Sequence, residues 1–321
     1  MYKKDLEPAV KLGDKALKSF SIFGSLIYDF PLPKGKHVEL FDLNFSSPLV
    51  GASFKSENKI IEMWMRMGLG GAIYKTIMSN KREGNPSPRL QDALYDNHKG
   101  ILNALGLPGP GIDQFTKEIL TSKLWEFKRP LGFSIGGENI HEYVVNINKI
   151  EKAIENLDKQ YFYELNISCP NTENGVTICQ DPKVLESLLV NLRKDIDVVI
   201  CIKVSPDVSN EKLLEIGEIS SSFEKIIINA GNTKFVRPSD VLVDKNNFSM
   251  EGGGLSGSPI FKRTIEMVEL FSNFKNPIMA TGGISTISHI NAAKSAGATL
   301  FGMATSLVLN PYCIPTINSK L

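Results

Sequence analysis

The feature that most constrains the fold of this chain is a regular alternation, from Leu43 onward, of short apolar segments with amphipathic segments of helix length. Eight apolar segments have the length and the β-branched and aromatic content expected of strands. They are residues 48–53, 71–78, 131–136, 161–168, 198–205, 225–232, 277–282 and 299–305. Between most of them, apolar side chains recur at helical spacing, at residues 60–67, 142–157, 182–192, 212–220, 260–271 and 288–296.

This alternation predicts an α/β fold with a single (β/α)8 TIM barrel. A doubly wound open sheet is the main structural alternative. Glycine-rich segments occur late in the chain, after the seventh and eighth predicted strands, which is where barrels commonly bind a phosphate. Their position favours the barrel, which we assign to residues 42–321.

A helical extension, residues 1–41, precedes the predicted barrel. Its apolar residues recur at helical spacing until two prolines end the pattern. The apolar residues are Ala16, Leu17, Phe20, Phe23 and Ile27, and the prolines are Pro31 and Pro33. We expect this helix to pack against the barrel; the alternatives are a membrane-surface element and a partner-docking element.

Two predicted connections are too long to be simple turns. Residues 79–116 are rich in Gly, Pro and Asn, and residues 233–257 form a long loop insertion after the sixth strand. Long ordered connections commonly act as lids or binding loops. We therefore expect both to contribute to a site.

Composition excludes several classes of function. Lys and Arg total 36 and Asp and Glu total 35 in 321 residues, so a basic surface for nucleic acid is not indicated. The 4 cysteines form no CxxC pair and have no ligand spacing with the 4 histidines, which argues against zinc, iron–sulfur clusters and a disulfide framework. No apolar run reaches about 18 residues, so no transmembrane segment is predicted. We expect a cytoplasmic protein.

The fourth predicted strand ends in a group of polar side chains. Residues 161–167 are apolar and β-prone, and Pro170 ends the strand because proline cannot donate to a ladder. Asn166, Ser168, Cys169 and Asn171 lie at this end, where folds with parallel strands place their chemistry. The alternative is that the asparagines form turns and Cys169 is a small core residue.

Two lysines lie within otherwise apolar predicted strands, Lys75 in the second and Lys203 in the fifth. A buried ammonium needs an anionic or hydrogen-bonding partner, because desolvating an unpaired charge is costly. A substrate carboxylate or an electron-rich cofactor ring would provide one. The structural alternative is an ion pair with a carboxylate such as Glu164.

Three glycine-rich segments, residues 252–257, 280–284 and 300–305, indicate a phosphorylated cofactor. Glycine lets backbone N–H groups approach an anion, and helix N-termini favour negative charge. Taken singly, each segment would be an ordinary turn. Their shared position near the end of the barrel is what favours phosphate binding.

Carboxamide side chains recur at predicted strand ends and in the first long connection, at Asn103, Asn166, Asn171, Asn229 and Asn232. Each offers both a donor and an acceptor, which suits a small ring with imide or urea edges. The histidines lie in helical or lead-in segments. A Ser-His-Asp or Cys-His hydrolase is therefore poorly supported.

On these residues the sequence resembles the dihydroorotate dehydrogenases, flavin-dependent barrel enzymes of pyrimidine synthesis. The resemblance covers residues 43–309. It rests on five motifs in the family's order, at residues 84–89, 103–108, 166–171, 253–257 and 281–284. It implies bound FMN and oxidation of dihydroorotate to orotate.

The resemblance also implies roles for individual residues. Cys169 matches the general base, which takes a proton from C5 of dihydroorotate while hydride passes from C6 to flavin N5. Positions that match substrate-binding residues are Lys75, Asn103, Leu105, Gly106, Leu107, Asn166, Asn171, Asn232 and Thr233. Positions that match flavin contacts are Ala52, Ser53, Lys75, Thr76, Asn166, Lys203, Gly254, Ser256, Gly282, Gly283, Gly302 and Met303.

Physical chemistry agrees with two of these roles. A cation near the N1–O2 edge of the flavin, here Lys203, would stabilise the reduced anionic ring. A thiol of ordinary pKa is mostly protonated at neutral pH, so Cys169 needs surroundings that lower its pKa, or a raised pH.

The family divides by its base, with cysteine in soluble branches and serine in the membrane-associated branch that reduces quinone. Cys169 implies a soluble branch, whereas the length of the N-terminal extension is similar to that of the other branch. The electron acceptor stays open among fumarate, quinone, and NAD reached through a partner subunit, and we expect a homo-oligomer. Alternatives are a related flavin barrel that acts on uracil or dihydrouracil, and a barrel that binds ligand without catalysis.

Overall fold

The computed structural model describes residues 5–20, 24–157, 159–167, 178 and 181–321. Eight parallel strands form a closed barrel, as the alternation predicted. In chain order they are β1 (Leu49–Lys55), β2 (Gly71–Ile77), β3 (Leu131–Ile135), β4 (Tyr161–Asn166), β5 (Ile200–Val204), β6 (Ile226–Ala230), β7 (Ile278–Thr281) and β8 (Leu300–Met303). Each strand pairs with the next, and β8 pairs with β1 to close the barrel. The observed β1 extends two residues past its predicted end at 53, and the other seven strands lie within their predicted ranges.

Helices follow most of the strands. They are α1 (Glu7–Phe20), α2 (Gly24–Ile27), α3 (Asn58–Met67), α4 (Ile112–Leu120), α5 (Ile140–Ile154), α6 (Pro182–Asp195), α7 (Asn210–Ser221), α8 (Phe261–Phe271), α9 (Ile287–Ala296), α10 (Thr305–Leu309) and α11 (Cys313–Asn318). Side-chain caps fix several helix starts, since Asn139, Asp181 and Ser209 each accept from a backbone N–H of the first turn. None of the helices in the described ranges is both long and apolar enough to cross a bilayer.

The predicted N-terminal extension contains two helices, α1 and α2, in place of the single helix expected. The side chain of Leu17 packs against the main hydrophobic core, whereas Ala16 is exposed. A two-stranded antiparallel hairpin, Val38–Leu40 with Leu43–Phe45, follows α2 and spans residue 42, the proposed domain boundary. That boundary stays a prediction.

Two separate apolar cores lie on the two sides of the barrel wall. The larger one lies between strands and helices and includes Met65, Phe133 and Phe271. The smaller one is the inside of the barrel, where the hairpin residues Leu43 and Phe45 meet one inward side chain from most strands. We call these inward residues the lower layer; they are Val50, Ile73, Phe162, Cys201, Ile227, Met279 and Leu300. The lower layer closes the N-terminal end of the barrel.

The two long connections fold together into one antiparallel sheet, which we call the accessory sheet. Its strand order is Lys234–Val236, Gly253–Gly257, His98–Asn103 and Leu90–Tyr95. The connection after β6 also contains the 3-10 helices Pro238–Val241 and Lys245–Asn247. Further 3-10 turns lie at Lys123–Phe127 and Ser258–Ile260. The insertion after strand six is therefore present as predicted, but it is a folded wall with its own apolar cluster and not an open loop.

Candidate functional site

A layer of polar side chains lies directly above the lower layer. Successive residues of a strand point to opposite faces, so the residue two positions after each lower-layer residue also points into the barrel. On β2, β4, β5, β6 and β7 that residue is polar. We call this set the upper layer; it contains Lys75, Glu164, Lys203, Asn229 and Thr281. It lies toward the carboxyl ends of the strands, where barrels hold their sites.

The centre of the upper layer is Glu164, whose side chain is fully buried. Its carboxylate accepts hydrogen bonds from Ser53 Oγ at 2.6 Å and from Asn229 Nδ2 at 2.8 Å. Lys203 Nζ lies 3.8 Å from Glu164 Oε1 and donates to Ser53 Oγ at 3.0 Å. A buried carboxylate is tolerated only when it is paired and hydrogen-bonded. The structural alternative for Lys203, an ion pair with Glu164, is therefore present, and it lies inside the predicted site.

A second polar chain connects β2, β3 and β4. Asn166 Nδ2 donates to Thr76 Oγ1 at 2.9 Å, and Thr76 Oγ1 lies 3.1 Å from Ser134 Oγ. The backbone carbonyl of Asn166 accepts from the hydroxyl of Tyr143 on α5 at 2.9 Å. These bonds fix the end of β4 at the point where the predicted site begins.

Lys75 occupies the β2 position of the upper layer and is half-buried. Burial lowers the pKa of its ammonium from 10.5 to about 8, and the neighbouring charge of Glu57 acts in the opposite direction. Within the described ranges its ammonium forms no hydrogen bond or ion pair. A partly desolvated cation of this kind is stabilised by an anion that enters the site.

The accessory sheet forms one wall of the site. Asn103 Nδ2 donates to the carbonyl of Gly254 at 3.0 Å across the paired strands. Asn232 and Thr233 are adjacent shortly after β6, where Asn232 Oδ1 accepts from the Thr233 N–H at 2.8 Å. Gly254 lies against Thr233, because an added Cβ would lie 2.1 Å from Thr233 Oγ1.

The predicted substrate-binding segment 103–107 turns sharply after its strand. Gly106 has a φ of 71° and Leu107 a φ of 52°, both in the left-handed region. The N–H of Asn85 donates to the carbonyl of Leu105 at 3.0 Å. Gly106 cannot carry a Cβ here, since that atom would lie 2.7 Å from the backbone nitrogen of Asn85.

Glycines line the ends of β7 and β8. Gly282 and Gly283 have φ of 142° and 74°. A Cβ on Gly302 would lie 2.0 Å from Thr281 Oγ1. Ser256 Oγ accepts from Thr305 Oγ1 at 2.9 Å, which ties the accessory sheet to the start of α10. The predicted phosphate-binding segments are thus adjacent in space.

Met303 differs from the other predicted flavin contacts. It is fully buried in the core between strands and helices, on the opposite face of β8 from Gly302. Its side chain therefore lies away from the barrel interior, and only its backbone remains available for the predicted contact. Ala52 is buried, and Ser53 lies beside Glu164 as described above.

Two buried polar atoms of the upper layer lack a partner in the described structure, Asn229 Oδ1 and Thr281 Oγ1. Unsatisfied buried polar atoms cost free energy and are uncommon in folded proteins. Together with the lysines and the glycines, they offer hydrogen-bonding groups, positive charge and close backbone approach to one ligand. These residues fit a flavin mononucleotide, which carries an amide-edged ring and a phosphate.

Two site predictions concern residues outside the described ranges. Cys169, the predicted base, and Asn171, a predicted substrate contact, both lie there. Of the described cysteines, Cys201 belongs to the lower layer, and burial raises the pKa of its thiol well above the usual value. Burial also raises the pKa of Cys313 to about 11. Neither of these two is suited to act as a base at neutral pH.

Two parts of the site were missed at the sequence level. Ser134 bonds to Thr76, and Thr281 contributes an unpaired hydroxyl. The sequence signal that could have indicated them is a polar residue two positions after an apolar inward residue, a pattern repeated on several strands. In the described ranges no group of three or more His, Cys, Asp and Glu side chains is arranged to hold a metal ion.

Comparison with known proteins identifies the family. Residues 36–321 match the family model described as dihydroorotate dehydrogenase. The chain belongs to the dihydroorotate dehydrogenase family. The match covers the barrel, the accessory sheet and the preceding hairpin, and the motifs that carried the resemblance lie within it.

Curated relatives of this dihydroorotate dehydrogenase family include proteins named dihydroorotate dehydrogenase B (NAD(+)), catalytic subunit. The protein from Bacillus cereus (strain G9842) is 30% identical over 298 residues, with 88% of this chain and 90% of the relative covered. The protein from Bacillus mycoides (strain KBAB4) is 30% identical over 295 residues with the same coverage.

Solved structures agree on the fold. DHODH from Eimeria tenella in complex with ferulenol has a TM-score of 0.80 at 21% identity, covering 96% of this chain and 89% of that one. The ligand-free type from the same organism has a TM-score of 0.77 at 20% identity, covering 96% and 92%.

Proposed function

We propose that this chain is an FMN-dependent oxidoreductase that oxidises dihydroorotate to orotate in pyrimidine (UMP) biosynthesis. Family membership supports the reaction, and the names of the curated relatives agree with it. The structural observation that carries the proposal is the upper layer. An apolar barrel interior changes within two residues to a buried cation, a carboxylate, a carboxamide and unpaired polar atoms at one end.

The proposed flavin site uses residues from most of the barrel. Lys203, held by Ser53 and Glu164, presents a fixed positive charge that favours an anionic ring. Gly254, Gly282, Gly283 and Gly302 leave the space that a phosphate needs near backbone N–H groups. When bound, the flavin supplies the acceptor for the hydride that leaves the substrate.

The proposed substrate site lies between the upper layer and the accessory sheet. Lys75 provides a charge for the substrate carboxylate, and its lowered pKa means that it binds best below about pH 8. Asn103, Asn166 and Asn232 would pair with the imide edges of the ring, each with one donor and one acceptor. Segment 103–107 and Asn171 complete the proposed contacts.

Cys169 is the proposed base that removes the proton from C5. It follows Asn166, the last residue of β4, by three positions in the sequence, and Asn166 is held by Thr76 and Tyr143. Removal of the proton requires the thiolate, so the rate is expected to increase as pH rises toward the pKa of Cys169.

The proposed electron acceptor is NAD, reached through a separate partner subunit. The relatives' names contain both NAD(+) and catalytic subunit, which supports such an assembly. In the described ranges this chain holds no cluster of potential metal ligands. A homo-oligomeric state and a cytoplasmic location remain predictions from the sequence.

Anaerobic reduction of the protein tests the reaction. The protein, purified and supplied with FMN, should show flavin absorbance that bleaches on addition of dihydroorotate and not on addition of dihydrouracil. Cys169→Ala should bind FMN normally but bleach at least about 100-fold more slowly, as expected for loss of a general base. A protein that binds no flavin contradicts the proposal, and rapid bleaching of C169A removes Cys169 from its proposed role.

Reoxidation of the bleached enzyme tests the acceptor. Fumarate, NAD and a soluble quinone are added in parallel to the isolated chain under anaerobic conditions. We expect little reoxidation by NAD alone, because its reduction is proposed to need the partner subunit. Fast reoxidation by fumarate or quinone would contradict the proposed acceptor while leaving the oxidation of dihydroorotate intact.

A further inference from the structure

Helix α1 is attached to the barrel by charged groups more than by apolar burial. The residues of one helical face are Glu7, Val10, Asp14 and Leu17, spaced three, four and three apart, and all are half-buried. Asp14 forms an ion pair with Lys55, the last residue of β1. The backbone N–H of Leu6 donates to the carbonyl of Leu90 in the accessory sheet at 2.8 Å. The helix therefore contacts both the barrel and the site wall.

Glu7 makes the second ion pair of this face, and its partner is Arg89. Arg89 Nε donates to Glu7 Oε2 at 2.9 Å and Nη2 donates to Glu7 Oε1 at 3.0 Å, a bidentate arrangement. The two side chains are only 16% and 13% exposed. Hydrogen bonding with Arg89 lowers the pKa of Glu7 from 4.5 to about 2, so the pair stays charged at all ordinary pH values. Over the described ranges, Glu7 is the one carboxylate in ion-pair contact with Arg89.

The third guanidinium nitrogen of Arg89, Nη1, is directed to the backbone of two loop segments. Its Nη1 donates to the carbonyls of Glu83 at 3.0 Å, Asn85 at 2.7 Å and Leu105 at 3.4 Å. A Cβ on Gly84 would lie 2.6 Å from this nitrogen, so the loop is folded closely around the guanidinium. Arg89 thus joins helix α1 to segment 103–107, the proposed substrate contact.

We propose that helix α1 is a clasp on the substrate-binding segment and that Glu7 is its positioning residue, acting through Arg89. This inference rests on the proposed function for the identity of the substrate. Glu7 fixes the plane of the guanidinium. The guanidinium in turn holds the Leu105 carbonyl, just before the turn at Gly106, and two carbonyls of the neighbouring loop. Without that anchor, segment 103–107 samples more conformations, and binding must restrict them again.

Glu7→Gln is the informative variant, because it removes the charge and retains the size. The expected result is a KM for dihydroorotate at least about fivefold higher, typical for loss of one half-buried ion pair, with kcat and FMN affinity within about twofold of the unchanged protein. Glu7→Asp keeps the charge and should give an intermediate KM. Asp113→Asn is the matched control, since Asp113 pairs with Lys149 on an exposed surface and has no link to Arg89.

Hydrogen exchange provides a readout that does not depend on activity. The N–H of Asn85, bonded to Leu105, and the N–H of Ala104, bonded to Arg89, should exchange faster in E7Q than in D113N. A protein that is not bleached by dihydroorotate refutes the proposed function, and exchange then decides on the clasp alone. Unchanged exchange, or a lower kcat with an unchanged KM, overturns the clasp.

Discussion

The lower and upper layers of the barrel interior lie two residues apart along the same strands, yet they have different roles. Phe162, Ile227 and Met279 in the lower layer are fully buried and belong to one apolar cluster. On the same strands, Glu164, Asn229 and Thr281 are also buried, but two of the three carry a polar atom without a partner among the described residues. The lower layer needs no polar partners, whereas the upper layer keeps, among the described residues, two polar atoms that a ligand can pair with.

The largest expected effect comes from breaking the lower layer. Phe162→Ala removes a fully buried ring that lies 6.1 Å from the ring of Phe45, and we expect a loss of about 3–5 kcal/mol in the free energy of unfolding. Urea unfolding of the flavin-free protein measures it. Val190→Ala, at a residue 45% exposed on α6, is the control and should change stability by less than about 0.5 kcal/mol. A loss below about 1 kcal/mol for F162A would remove the structural role of this layer.

Variants of the ion pair in the upper layer distinguish its contribution to stability from its contribution to FMN binding. Lys203→Met leaves the buried carboxylate of Glu164 without its cation, and we expect the free energy of unfolding to fall by about 3 kcal/mol. The double variant E164Q/K203M should recover most of that loss, because both charges are removed. FMN affinity should stay weak in both, since the cation near the ring is absent.

Urea unfolding and flavin-fluorescence titration measure the two properties on the same samples. A double variant as unstable as K203M would show that the pair does not account for the loss. Normal FMN affinity in K203M would remove Lys203 from the flavin site.

The pH response of Lys75 sharpens the comparison further. Its pKa is lower in the folded protein, about 8 against 10.5, so the unfolded chain binds more protons between these values. This lysine therefore makes the protein more stable as pH rises through that window, while its charge, which the substrate needs, is lost. We expect KM for dihydroorotate to rise about tenfold between about pH 7 and about pH 9.

Steady-state kinetics across this range provides the measurement. Lys75→Arg retains the charge at high pH and should remove the trend above about pH 8. The same rise in KM in K75R would assign the effect to another group.

The smallest effect is expected at the unpaired hydroxyl of Thr281. Thr281→Val keeps the shape and removes the buried Oγ1, so the flavin-free protein should gain about 1 kcal/mol of stability. FMN affinity should decrease at the same time. Thermal unfolding with and without FMN measures both, and a loss of stability in the flavin-free protein would show that Thr281 is satisfied without ligand.

The local sequence pattern predicted the barrel well, because the spacing of apolar residues within each strand or helix indicates which of its faces is buried. The eight strands and the glycine segments near β7 and β8 follow from short stretches, and a lysine within an apolar strand indicated a carboxylate partner, which is Glu164. The roles of Cys169 and Asn171 stay predictions.

What could not be predicted depends on distant partners. The pairing of Gly254 with Asn103 joins residues far apart in sequence, and a strand's own pattern does not name its partner. The sequence gives no sign of the bond between Glu7 and Arg89 either, because an acidic residue near the start of a helix is normally a surface residue. Met303 stays a predicted flavin contact, and its side chain lies in the core between strands and helices.

The accessory sheet has a consequence for motion. Its apolar residues, among them Leu102, Val243 and Phe248, form a cluster distinct from both barrel cores. A region with its own core can open as one cooperative unit at a lower free energy than the whole molecule. We therefore expect the backbone amides of this sheet to exchange with solvent as a group, at a lower free energy of opening than the amides of the barrel strands.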